Sequence, residues 1–305
     1  LNLNLVDKPN KRKQHNKSIV RIGGIGILFG ILPIFILSNF KFIEDQAAAI
    51  LMPIFFGSIA MFFIGFFDDL YSISFLKRLF LQILVSSFCW NLGLKVEQVE
   101  IKWLIFDFGN YDIHPFLSYL ITNIWIVGII NAFNWLDGLD GLAAGISLIT
   151  SITIFLTGLS LNLNFELFLV VALAGAVFGF LMHNFNPAKI FMGDGGSYLI
   201  GSIIAFYSLY LYNADLELGY GKVGLVSIIL LLFVPIFDML YVITSRILGG
   251  RLPFYPDRKH LHHRILRTGF NHKDTVILCY LISLFFSFLL LGNIYPDLRY
   301  QIIFS

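Results

Sequence analysis

What most restricts the fold of this chain is the length of its apolar runs. About nine of them, at 22–39, 47–67, 76–94, 116–133, 142–159, 165–183, 197–213, 223–244 and 274–292, reach the roughly 17–25 residues that a helix needs to cross a bilayer. In hydrocarbon every backbone N–H and C=O must be satisfied within its own segment, so such runs are helices. Pro33, Pro53 and Pro235 fall inside them and are tolerated in that setting. Composition agrees: 57% of the 305 residues are hydrophobic and 13% charged, against roughly 45–50% and about 25% in a soluble domain. The chain is expected to be an all-α, polytopic transmembrane bundle, one membrane domain over residues 1–305. It opens in a polar stretch, 2–21, so an upstream segment with one or two further spans is expected in a longer form. The net charge of +2 is too small to imply nucleic acid. Cys89 and Cys279 sit in apolar runs and predict packing residues rather than a disulfide framework. The stretch 96–115 alternates briefly and predicts a short hairpin, with Gly109-Asn110 as its turn.

Positive charge sets orientation in a membrane. With residues 1–21 on the cytoplasmic side and the runs alternating from there, 16 of the 21 Lys and Arg residues fall on that side. The same topology gathers every chemically capable cluster there: Asp68-Asp69, Asn131 to Asp140, Asn184 to Ser197, and Arg251 to Arg264. A channel or transporter spreads polar groups through its spans, whereas this pattern predicts an enzyme working at the cytoplasmic face. An ion-coupled transporter is the alternative from another class, and Asp238 is the intramembrane acid it has to build on.

Each cluster has a chemistry of its own. Asp68-Asp69 ends the second run, where the helix dipole opposes negative charge. The pair reads as a metal site, or as a base acting on an anionic substrate held by metal. Lys77 is a candidate phosphate contact. Asp137 and Asp140 are three residues apart and flanked by Gly138 and Gly141, with Asn131 and Asn134 on the same edge. In Phe191-Met-Gly-Asp-Gly-Gly-Ser197, Asp194 lies in a glycine-rich turn that opens a run. N–H groups at a helix start favour phosphate, and Mg²⁺ is usually held by one or two carboxylates plus substrate phosphates. Asp257-Arg-Lys-His-Leu-His-His-Arg264 crowds imidazoles with cations, which suits phosphate better than zinc. Asp238, after Val234-Pro235, is placed to support the site or to pair with Arg246. The CDP-alcohol phosphotransferase pattern, D-x2-D-G-x2-A-R-x8-G-x3-D-x3-D, fits only in its first half. Gly145, Ile154, Gly158 and Asn162 stand at its Arg, Gly and last two Asp positions.

Carboxylates for a divalent ion, glycine turns and a His/Arg/Lys cluster are what phosphoryl transfer needs, and the surrounding spans imply a lipid substrate. In order along the chain, Asp7-x-Pro9, His15, Gly23-Gly24, Gly65-Phe66-x-Asp68-Asp69, Asn131-x-x-Asn134-x-x-Asp137-Gly-x-Asp140-Gly-Leu, Asn184 to Asp194, Val234-Pro-x-x-Asp238 and Asp257-Arg258-x-His260-Leu-His262-His263 resemble the polyprenyl-phosphate N-acetylhexosamine-1-phosphate transferases. The form of the last motif resembles their O-antigen and teichoic-acid branch. The phospho-N-acetylmuramoyl-pentapeptide branch is the alternative. The resemblance implies Mg²⁺, with Mn²⁺ as substitute, a UDP-N-acetylhexosamine donor (UDP-GlcNAc or a derivative), undecaprenyl phosphate as acceptor, and UMP released. It implies a bacterial inner-membrane protein in contact with membrane lipid, with a homodimer allowed. It assigns the metal to Asp194. Asp68 and Asp69 take lipid-phosphate activation or the metal. Asp140, Asn184 and Phe191 lie near the uridine, with Phe191 as a stacking face, and His260, His262 and His263 near the pyrophosphate. Asn134, Asp137, Arg258 and Arg264 join the substrate-binding set.

Overall fold

The computed structural model describes residues 5–7, 18–39, 45–103, 106–253 and 259–295. Helices stand at all nine of the long apolar runs. They are α1 (Gly23–Asn39), α2 (Asp45–Tyr71), α3 (Phe75–Asn91), α4 (Pro115–Leu136), α5 (Leu142–Ser160), α6 (Phe168–Asn184), α7 (Gly193–Leu218), α8 (Leu225–Leu231), α9 (Phe233–Leu248), a short α10 (Leu261–Arg267) and α11 (His272–Ile294). By length and apolarity six described segments qualify as membrane spans, or seven if α8 and α9 are one broken span. The chain is a multi-pass membrane protein.

Two expectations are corrected. The run 223–244 is not one straight helix, because α8 and α9 meet at 86°. Pro235 explains where the new helix can begin: it sits in the first turn of α9, where backbone N–H groups have no intrahelical partner and proline gives up nothing. The hairpin over 96–115 exists, as β3 (Gln98–Trp103) antiparallel to β4 (Phe106–Asp112). Gly109-Asn110 is not its turn, however. Gly109 lies inside β4 at φ +85°, beside a register shift between Glu100 and Lys102. A glycine at positive φ is what a strand irregularity of that kind uses.

α7 is the axis of the bundle. Its side chains are buried along nearly the whole helix, including Tyr198, Phe206 and Tyr207, and it packs on α2, α4, α1 and α5. Without water to expel, membrane helices associate through close van der Waals packing, and small residues permit it. At its N-terminal end this is literal. A Cβ at Gly65 of α2 would lie 2.3 Å from the Asp194 carbonyl oxygen, and one at Gly24 of α1 would lie 2.4 Å from Gly196 N. Backbone touches backbone, and α1, α2 and α7 converge at one end of the bundle. Gly23 N–H and Gly24 N–H donate to the carbonyls of Phe191 and Met192 at 2.9 Å each, and a Cβ on either glycine would collide, with the Phe180 ring at 2.2 Å and with Gly196 N at 2.4 Å. A two-stranded ribbon, β1 (Val6–Asp7) with β2 (Ile19–Val20), reaches the same end, where Val20 bridges to Ile190.

Candidate active site

The convergence of α2 and α7 places three carboxylates together. Asp68 and Asp69, at the end of α2, are 8% and 7% exposed, and Asp194 opens α7. Asp69 Oδ2 accepts the Gly195 N–H at 3.1 Å, with room left by Gly193, whose Cβ would lie 2.6 Å from that oxygen. Asn134 on α4 donates to Asp194 Oδ1 at 2.9 Å and to Ser197 Oγ at 3.0 Å. Arg78 on α3 pairs with Asp68 and reaches Asp194 Oδ2 at 3.3 Å. A guanidinium thus stands between acids from two helices, so the space between Asp68 and Asp194 suits a cation bound by oxygens.

Arg78 was not singled out from sequence; Lys77 was. Lys77 lies on the exposed face of α3. The signal was there in the helical phase. The buried polar or small positions of α3 are Gln82, Ser86 and Cys89, and Arg78 precedes Gln82 by four residues, on that same face. Gln82 continues the polar contact inward, accepting from Asn131 Nδ2 at 2.8 Å.

The 137–141 loop forms the next wall. Asp140 Oδ2 accepts from Asn186 Nδ2 and the Ala188 N–H, both at 3.0 Å. Asn184 accepts the Gly141 N–H at 2.9 Å and donates to the Ile190 carbonyl at 2.9 Å. These two residues lace the loop after α4 to the loop before α7. Gly141, at φ +82°, also receives the Tyr280 hydroxyl of α11 on its carbonyl, a support that sequence reasoning missed. Asp137, in the same loop, is different. Loss of hydration, and next the charge of Asp69, push its carboxyl up to about 7. Phe191 is held through its backbone, its N–H donating to the Val20 carbonyl at 2.9 Å, with its ring half-buried.

The histidines lie against this wall. His262 is 2% exposed, and its Nε2 is 2.7 Å from where a Cβ on Gly138 would stand. Burial, followed by the neighbouring histidines His263 and His260, holds its imidazole well below the ordinary value. Its Nδ1 is buried without a partner. His263 packs on it at 4.3 Å between ring centroids, and His260 stands edge-on to Trp135 at 5.7 Å. Arg264 lies over the Tyr241 ring at 4.1 Å. Asp257 and Arg258, like Pro9 and His15 of the first motif, lie outside the described residues.

A metal can be tested against these residues. Among the described residues no group of three or more His, Cys, Asp or Glu side chains is arranged to hold an ion by itself. The set nevertheless fits Mg²⁺, which takes one or two carboxylates and fills its other positions with water and substrate phosphates. Asp194 and Asp68, from different helices with a cation already between them, provide that pair.

Comparison with known proteins follows the same residues. The model of the family "Glycosyl transferase family 4" matches residues 51–212, a stretch that includes Asp68, Asn134, Asp140 and Asp194. A probable undecaprenyl-phosphate N-acetylglucosaminyl 1-phosphate transferase of Bacillus subtilis is 37% identical over 293 residues, covering 94% of this chain and 76% of the relative. A decaprenyl-phosphate N-acetylglucosaminephosphotransferase of Mycobacterium leprae is 34% identical over 302 residues, 92% of this chain and 74% of the relative. An undecaprenyl-phosphate alpha-N-acetylglucosaminyl 1-phosphate transferase of Thermotoga maritima is 32% identical over 287 residues, 94% and 80%.

Proposed function

The chain belongs to glycosyl transferase family 4, and on that premise we propose that it transfers N-acetylglucosamine-1-phosphate from a UDP-linked donor to undecaprenyl phosphate, releasing UMP, with Mg²⁺ as cofactor. The observation that carries this reading is the meeting of Asp68, Asp69 and Asp194 with Arg78 and Asn134 at one end of a membrane bundle. A pyrophosphate needs charge neutralised and its phosphorus held in line with the incoming oxygen. A polyprenyl phosphate needs a site at the edge of the bilayer. The excess of Lys and Arg at that end of the topology supports a cytoplasmic active site in a bacterial inner membrane.

The acceptor phosphate oxygen forms a bond to the donor's β-phosphorus, the bond from that phosphorus to the bridging oxygen breaks, and UMP leaves with the electron pair. Mg²⁺, when bound, supplies positive charge for the pyrophosphate oxygens. Asp194, with Asp68, is the residue to hold it, and the Asn134 amide orients the Asp194 carboxylate. Asp69 is kept in place by Gly195 beside the acceptor phosphate. Arg78, which pairs with both acids, would be free to turn towards phosphate if Asp68 and Asp194 held Mg²⁺. Asp140 and Asn184 act by locking the two loops that carry Asp137 and Phe191, and Phe191 offers its ring to the uracil. His260, His262 and His263, with Arg264, are the groups offered to phosphates, and Lys77 and Arg258 are candidates for the same role from sequence alone.

The test is the full chain in lipid nanodiscs with undecaprenyl phosphate, Mg²⁺ and a panel of UDP-sugars, with UMP as the readout. UMP is expected with UDP-GlcNAc and only when the lipid is present. No release with any donor defeats the proposal. Labelled phosphate trapped on the protein from donor alone replaces direct attack with an intermediate on Asp68 or Asp69.

A further inference from the structure

Asp238 is 1% exposed inside α9, and both of its oxygens are used. Oδ2 lies 2.8 Å from His260 Nδ1, and Oδ1 accepts the Leu261 N–H at 2.5 Å. Arg246, its alternative partner from sequence, turns to the Pro253 carbonyl and covers the Trp135 ring at 5.0 Å. A carboxylate offers only lone pairs, so the imidazole nitrogen facing it carries the hydrogen. The Leu261 N–H on the other oxygen fixes the carboxylate's orientation and ties the start of α10 to α9. The pair also abuts the active site. The His260 ring meets the edge of Trp135, the residue after Asn134, and stacks parallel on His262 at 5.7 Å and 10°, and His262 lies against Gly138.

We propose that Asp238 is a positioning residue that holds His260 as the Nδ1–H tautomer, so that Nε2 meets the substrates as a lone pair. His260 then accepts a hydrogen from them, from a protonated phosphate oxygen or from a sugar hydroxyl or amide, and does not donate one to a phosphate anion. This deepens the proposed transfer and rests on it for the identity of the substrates. Among the described residues, the ionisable groups around the pair include Arg246 from α9, Lys259 next to His260, His262 and His263 from α10, and Cys279 of α11 beside Asp238. Any hydrogen transferred whole to Nε2 leaves an imidazolium facing the Asp238 carboxylate, the arrangement in which a buried acid stabilises the charged ring.

The tautomer is read without turnover. Full-length protein labelled with ¹⁵N-histidine, in nanodiscs, gives long-range ¹H–¹⁵N correlations, with His260→Gln used for assignment. The expected pattern has the proton on Nδ1 and none on Nε2. A protonated Nε2 overturns the proposal, whatever the enzyme turns over, whereas failure of the wild type to release UMP defeats the proposed function and leaves the tautomer standing. In Asp238→Asn a single acceptor oxygen faces two N–H groups. The expected result is a kcat loss of about 10–100-fold, the scale seen when the partner that orients a histidine is removed, with the donor KM little changed and no further loss on adding His260→Gln. Asp238→Glu keeps both acceptors and recovers part of the rate. Losses that multiply in the double variant, or an Asp238→Glu no better than Asp238→Ala, overturn the proposal. The two hydrogen sources separate by pH. A phosphate hydrogen makes the Asp238→Asn loss vary across about pH 5–7, where a phosphate monoester titrates, and a sugar hydrogen makes it flat.

Discussion

Asp194 and Asp215 stand near opposite ends of the same helix, α7, and their surroundings differ in kind. Asp215 is 1% exposed and accepts the backbone N–H groups of Lys222 and Val223 at 3.1 and 2.9 Å. It closes the turn after α7, and its partners are part of the chain's own path. Asp194 instead faces side chains, Arg78 and Asn134, with Asp68 opposite and Asp69 close by. Side-chain partners can move aside for a ligand, whereas the backbone groups of a tight turn cannot. Burial does not distinguish structural from functional acids here, since Asp68 and Asp69 are nearly as buried as Asp215. Between Asp194 and Asp215 the nature of the partner does.

Substitutions test this contrast. The largest effect is expected from Asp194→Asn, which keeps the size and removes the charge. UMP release at saturating Mg²⁺ falls by about 10²–10³-fold or more, the scale of losing a preorganised charge-stabilising group, while the melting temperature holds. Near-normal turnover removes Asp194 from its role and erases the contrast. Asp215→Ala is expected to do the reverse. It strands two buried N–H groups at about 1–3 kcal/mol each, read as a lower unfolding midpoint, with turnover per folded molecule unchanged. Lost turnover in a protein that melts normally makes the far end of α7 functional too.

The smallest effect concerns Asp137, the acid at the Asp194 end pushed up to about 7. Its folded value lies above its unfolded one. The folded state therefore holds the proton longer, and stability falls as pH rises from about 4 to about 7, then levels. Asp137→Asn removes that slope. Unfolding midpoints measured between pH 5 and pH 8 check it, and an unchanged slope in the variant assigns the pH dependence to another group.

Much of the candidate site was legible along the chain. The acid pair after Gly65, the Asn134 to Asp140 run and the glycine turn at Asp194 each carry residue types that are costly beside hydrocarbon, so they stand out wherever they fall. Arg78 was hidden because its neighbour Lys77 carries the same charge, and only the direction in which α3 turns separates them. Asp140 and Asn184 read as ligand contacts, yet their polar atoms lace two loops together. Tyr280 gave no signal at all, because its contact with Gly141 joins residues 139 positions apart.

The sequence by itself determined the helices and the clusters of acids, amides and histidines that lie at their ends. Run length against bilayer thickness, and charge against hydrocarbon, are local properties of a segment. Tertiary structure decided the partners: Arg78 rather than Lys77 at Asp68, His260 rather than Arg246 at Asp238, and a break before α9 rather than a straight span. Those choices depend on helix phase and on how closely Gly24, Gly65 and Gly195 let backbones approach. Packing of that kind is a property of helix pairs, and no single segment contains it.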